Sequence, residues 1–102
     1  MARLCAAMLV VAVACSSPQK QAAEDRKTAA SWAAAGALLA HEWSRGAVSD
    51  AYARSTARVA IDEVAALQTP SREAQLRAWR ALEQAIDAHD RAAGERAFRG
   101  VR

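Results

Sequence analysis

The chain has 102 residues, enough for one domain at most. Its 14 Lys and Arg against 11 Asp and Glu give a net charge of +3, too small to require a nucleic-acid partner. Four glycines and two prolines are too few for a β-sandwich or a collagen-like repeat. Two cysteines form neither a disulfide scaffold nor, alone, a four-ligand zinc site.

The first predicted element is a targeting segment over residues 1–14. Arg3 is followed by an unbroken apolar run from Leu4 to Val13. This run is too short to span a bilayer as a helix, but it has the length of the apolar part of a signal peptide. Ala14, a small residue, then directly precedes Cys15.

The residues Ala12-Val13-Ala14-Cys15 resemble the lipobox of bacterial lipoprotein signal peptides, although leucine is more usual at the position of Ala12. The resemblance covers residues 1–17. It implies that Cys15 is lipidated and becomes the first residue of the mature chain, anchored in the membrane lipid of the cell envelope. Ser16 after the cysteine implies an outer membrane facing the periplasm, if the organism has one. The alternatives are an ordinary signal peptide cut near Ala14 and an uncleaved hydrophobic tail.

Three helices follow in the predicted mature chain. They span about residues 18–45, 50–68 and 70–93. Pro18 and Pro70 each follow a hydroxyl side chain that can cap a helix, and Gly46 is a typical helix end. No stretch alternates with period two, so no strand is expected. The predicted fold class is all-α, a small antiparallel three-helix bundle (up-down-up), because short connections make neighbouring helices antiparallel.

Each helix has one apolar face, and these faces predict the core. Its members are Trp32, Leu39, Trp43, Val64, Leu67, Leu76, Trp79 and Ile86. Tyr52 is placed at the margin of the second helix's face and is expected to be largely buried. Two ion pairs are expected along the third helix, Glu73 with Arg77 and Asp87 with Arg91.

The predicted organisation has four parts: a signal peptide (1–14), the lipidated cysteine and a spacer (15–26), the bundle (27–93) and a basic C-terminal tail (94–102). The spacer is expected to be a frayed helical segment, with a disordered segment as the alternative, and in both cases to pack against nothing. It has no large apolar side chain between Gln19 and Arg26, and the second helix is too short to reach it.

The sequence carries no recognisable catalytic or metal-binding motif. His41 points away from the first helix's apolar stripe, and no HExxH or CxxC spacing is present. Glu63 and Glu83 flank apolar faces, where each is expected to reach solvent or an arginine. There is no Gly-rich phosphate loop and no nucleophile elbow. The sequence therefore predicts no enzymatic activity, no metal and no cofactor.

Two surfaces are candidate interaction sites. The outer arc of the first helix carries small side chains that would let another helix approach closely, namely Ala30, Ala34 and Ala37. The tail carries residues that suit anionic lipid headgroups, namely Arg96, Phe98, Arg99 and Arg102. The alternatives are a general alanine bias for the first surface and a solvated C-terminus for the second.

These features favour a lipid-anchored helical protein of the cell envelope that acts as a small interaction or assembly accessory module. Its partner would be an envelope protein or a second copy of the chain, and not a nucleic acid. The alternative is a secreted or periplasmic helical protein that binds a ligand or a metal without catalysis. A secreted regulator without an anchor is a third hypothesis.

Overall fold

The computed structural model describes residues 17–101, and these residues form four α-helices and no strand. Helix α1 spans Pro18–Ser44, α2 spans Asp50–Ala65, α3 spans Arg72–Asp87 and α4 spans Arg91–Arg96. The predicted all-α class is confirmed. None of these helices is long and apolar enough to cross a membrane. The predicted signal peptide, the lipidation residue Cys15 and Arg102 lie outside the described residues.

The starts of α1 and α2 follow from their capping residues. The hydroxyls of Ser17 and Ser49 each accept a hydrogen bond from the backbone N–H three residues on, at 3.4 and 3.1 Å. Gly46 ends α1 with a φ of 79°, in the left-handed region that glycine adopts readily. Helix α3 begins at Arg72 and not at residue 70, with Ser71 as its N-cap residue.

The prediction that the third helix continues to residue 93 is wrong, because α3 ends at Asp87. His89 has a φ of 55°, and its N–H donates to Ile86 O at 3.1 Å. The next N–H, of Asp90, donates to Ala85 O at 2.9 Å. These two bonds form a Schellman motif, which closes the helix. Asp90 then caps α4 through its carboxylate, at 3.0 Å.

One hydrophobic core joins all four helices. Of the predicted core residues, Trp32 is half-buried and the other seven are buried. Helix α2 contributes small side chains (Ala53, Ala57 and Ala60), which let it lie close to its neighbours. Each helix contacts the next along the chain and α4 contacts α1, whereas α2 and α4 do not touch.

Phe98 in the C-terminal segment is part of this core, which corrects its expected place on a surface that contacts lipid. Phe98 is 6 % exposed, and its ring lies edge-on to Trp79 with the centroids 4.8 Å apart. Gly36 faces the Phe98 ring and Gly94 faces the Trp43 ring, each so closely that a Cβ atom would collide with it. Phe98 is therefore a core residue and is not available to a membrane surface.

The predicted spacer also packs against the bundle, which corrects a second expectation. Residues 18–26 belong to α1. Asp25 is 6 % exposed, and its Oδ2 accepts a hydrogen bond from Gln68 N at 2.7 Å. Its Oδ1 accepts one from Gln21 Nε2 at 2.8 Å. Helix α2 itself is too short to reach Asp25, as its length predicts. The connection between α2 and α3 contacts Asp25 instead, through Gln68.

Candidate functional site

A cluster of polar side chains joins three helices at one end of the bundle, and we call it the end cluster. Trp43 Nε1 donates to Asp50 Oδ1 at 2.7 Å, and His89 Nδ1 lies 3.6 Å from Asp50 Oδ2. Arg91 donates to the backbone oxygen of Trp43, and its guanidinium lies 4.6 Å from the Trp43 ring centroid. Alongside, Glu95 Oε2 accepts from Ser44 Oγ at 2.6 Å.

Both carboxylates of the end cluster are held in their charged form. The hydrogen bond from Trp43 lowers the pKa of Asp50, and the charges of His89 and Arg91 act in the same direction. The hydrogen bond from Ser44 lowers the pKa of Glu95, and its neighbour His41, 3.4 Å away, adds to this effect. The hydrogen bonds are the largest favourable cause in each case.

The end cluster fastens α4 to the rest of the fold. Its histidines are exposed, and each faces a single carboxylate. Within residues 17–101, no three histidine, cysteine or carboxylate side chains are grouped so that they could hold a metal ion. Asp87 and Arg91 do not form the predicted ion pair, because α3 ends at Asp87 and Arg91 lies on α4. Asp87 pairs with Arg54 instead, at 3.1 Å.

A second candidate lies between α1 and α2, and we call it the apolar groove. It has a volume of about 230 Å³, and its polar side chains are Glu42, Thr56 and the hydroxyl of Tyr52. Leu38 is 63 % exposed and Tyr52 is 59 % exposed, so two large side chains on its walls face solvent. The sequence analysis missed this site, since it placed Tyr52 near the core.

The predicted small-residue surface lies beside the apolar groove and does not line it. Ala30, Ala34 and Ala37 are all exposed. At about 100° per residue, Ala34 lies about 40° around α1 from Leu38, whereas Ala30 and Ala37 lie about 80–100° away. Ala34 lies on the side of Leu38 away from Leu39 and Glu42, which line the groove, so all three alanines lie on the outer arc of α1.

A third candidate lies between α3 and the C-terminal segment, and we call it the basic groove. Arg77 and Arg96 line it together with alanines of both elements. Of the residues predicted to contact an anionic surface, Arg96 and Arg99 are exposed, Phe98 is buried, and Arg102 is outside the described range. Arg77 was missed, because it was assigned to an ion pair along the third helix.

The two carboxylates considered for acid–base chemistry do not meet. Glu83 lies 3.5 Å from Arg58, and Glu63 is exposed on α2. A search of protein-family models, curated proteins and solved structures finds no match to this chain. The function must therefore be argued from the three sites themselves.

Proposed function

We propose that this protein is a lipid-anchored, non-catalytic interaction module of the bacterial cell envelope, which holds a partner protein in its apolar groove. The observation that supports this best is the exposure of Leu38 and Tyr52 side by side on one groove. The anchor would be diacylglycerol on Cys15, placed in the outer membrane and facing the periplasm where the organism has one.

The chemistry of the groove suits a helix with apolar side chains. Val59 follows Tyr52 by seven residues on the same face of α2 and is also exposed, so the apolar surface continues along the helix. Ala35 on the opposite wall is short and leaves room for a partner's side chains. Tyrosine is enriched at protein interfaces because it combines a large apolar ring with a polar hydroxyl.

The proposed lipid anchor would suit such a groove. The exposed apolar surface consists of a few side chains, so it fits a small and weak interface better than a large permanent one. Confining both partners to one membrane raises their effective concentration without any new contact. A weak interface on an anchored protein is then sufficient for assembly.

The finer architecture belongs to this proposal. We infer that α1, α2 and α3 run up, down and up, because residues 45–49 and 66–71 are short connections that favour antiparallel neighbours. Helix α4 then fills the remaining gap between α3 and α1. In this arrangement the apolar groove and the basic groove face opposite sides of the bundle.

The competing hypothesis is a soluble protein that binds a small ligand or a metal. The end cluster is the polar site that would serve it, but its side chains already satisfy one another. The apolar groove holds about 230 Å³. This volume is below the roughly 300–1,000 Å³ of sites that enclose a small molecule, and Leu38 and Tyr52 on its walls are largely exposed.

Site-specific photo-crosslinking in cells tests the groove. A photoreactive residue at position 38 or 52 should give one defined adduct in the membrane fraction, and the same residue at Ala92, exposed on α4, should not. An adduct of twice the chain's own mass would identify the partner as a second copy. Equal labelling from all three positions would contradict the proposed docking site.

Mass spectrometry of the mature N-terminus tests the anchor separately. We expect the chain to begin at Cys15 with acyl chains attached, and Cys15→Ser to move the protein to the soluble fraction. An unmodified chain that begins at any other residue would rule out lipidation.

A further inference from the structure

The basic groove has an apolar floor and positively charged edges. Its floor consists of alanine side chains, including Ala78 and Ala97, with Val101 at one end. Arg77 on α3 and Arg96 on α4 stand at its edges, and both are exposed. Short floor side chains leave the space above them open to a ligand.

Six of the ten arginines within residues 17–101 form no ion pair with a described carboxylate, and Arg77 and Arg96 are two of them. Within residues 17–101, Arg45, Arg54, Arg58 and Arg72 each form an ion pair with a carboxylate. Arg77 and Arg96 form none, and neither donates a hydrogen bond to a described residue. Two guanidinium groups that pair with no carboxylate of the described residues therefore line the same groove.

We propose that the basic groove binds the headgroup of an anionic phospholipid. Guanidinium groups match phosphate oxygens with paired N–H donors, and the alanine floor tolerates the glycerol carbons beside the phosphate. Two arginines suit one phosphodiester, whereas nucleic-acid binding commonly neutralises many phosphates. The inference rests on the proposed membrane anchor, which brings this face within reach of headgroups.

Cosedimentation of the full chain with vesicles tests this binding. One vesicle type is phosphatidylcholine alone, and the other contains about one-third phosphatidylglycerol. The apolar run Leu4–Val13 contributes equally to both, so the ratio of the two partition coefficients isolates the contribution of charge. At physiological salt, screening over about 8 Å removes most long-range effects of net charge.

The decisive variant is Arg77→Gln with Arg96→Gln. Each arginine near an anionic surface contributes about fivefold to binding, so the preference for phosphatidylglycerol should fall by about 25-fold. The matched control is Arg45→Gln with Arg58→Gln, which removes the same charge from other exposed positions and should change the preference less than about threefold. Equal loss in both variants, or no preference in the wild type, would overturn the proposal.

Two competitors separate the lipid from other anions. Millimolar inorganic phosphate, or an acidic peptide such as oligoglutamate, should leave binding to phosphatidylglycerol vesicles nearly unchanged. Displacement by phosphate would assign the groove to a soluble phosphate, and displacement by the peptide would assign it to an acidic protein segment. Either result overturns the lipid proposal. Neither depends on Cys15 acylation, which mass spectrometry measures independently.

Discussion

Gly36 shows how a single missing side chain determines the packing of the C-terminal segment. A Cβ atom at this position would collide with the ring of Phe98. In most helices glycine to alanine is stabilising, but here Gly36→Ala should lower the free energy of unfolding by about 1–3 kcal/mol through overpacking. Urea denaturation measures the change.

A double-mutant cycle is the control for this collision. Phe98→Leu removes the ring atoms that the new methyl group would meet, so Gly36→Ala should cost much less in that background. If Gly36→Ala were equally destabilising with Leu at position 98, the collision with Phe98 would not be the cause.

The end cluster should make the protein sensitive to acid. The folded state holds the pKa values of Asp50 and Glu95 below the ordinary carboxyl values of about 4. Stability from these groups is therefore fully present above about pH 5, and it is lost as the pH falls through their folded-state pKa values. The double variant Asp50→Asn and Glu95→Gln should lose less free energy of unfolding than the wild type as the pH falls. Urea denaturation between pH 3 and 7 measures this acid dependence.

Asp62→Asn is the matched control, since Asp62 is exposed on α2 and makes no ion pair or hydrogen bond with a described residue. It should leave the dependence of the unfolding free energy on acidic pH close to that of the wild type. If the double variant had the same pH dependence as Asp62→Asn, the end cluster would contribute no pH-linked stability.

At the scale of elements, Asp25 attaches the first turns of α1 to the connection between α2 and α3. Asp25→Ala leaves the N–H of Gln68 without this acceptor and removes a charge-assisted bond, so it should lower the free energy of unfolding by about 1–3 kcal/mol. Glu24→Ala, at an exposed neighbouring position, should change it by less than about 0.5 kcal/mol. Chemical denaturation measures the free energy of unfolding of both variants. Equal losses would contradict the role of Asp25 in attaching α1 to this connection.

The elements differ in how far the sequence could predict them. The start of α1 and its end at Gly46 were predictable, because serine, proline and glycine act there through local backbone chemistry. The end of α3 was not, since a histidine occupies the left-handed position that glycine usually takes. Helix α4 is too short to show a period, so nothing local indicated that Phe98 turns inward.

The candidate sites depend on pairs of elements, and this limits what the sequence alone shows. The apolar groove required knowing that Leu38 and Tyr52 come together across two helices. The basic groove required knowing that Arg77 lies beside a docked C-terminal segment. Spacing within one helix predicted a different partner for Arg77, because an i,i+4 carboxylate is available there.

For the whole molecule, the two grooves should act independently. The apolar groove is built from α1 and α2, and the basic groove from α3 and the C-terminal segment, so they share no helix. Substitutions at separate surface sites are usually additive and disturb the fold little. An anchored protein could then contact headgroups on one side and a partner on the other.

Two variants in one set of experiments test this independence. Leu38→Glu places a charge on the apolar groove, so it should abolish the crosslink from position 52 and leave the preference for phosphatidylglycerol vesicles unchanged. The double substitution Arg77→Gln and Arg96→Gln should do the reverse, because it removes the cations and leaves Leu38 and Tyr52 in place. Circular dichroism should show the same helix content for both. If either variant changed both the crosslink and the vesicle preference, the two grooves would be coupled. The protein would then not bind lipid headgroups and a partner protein at independent sites.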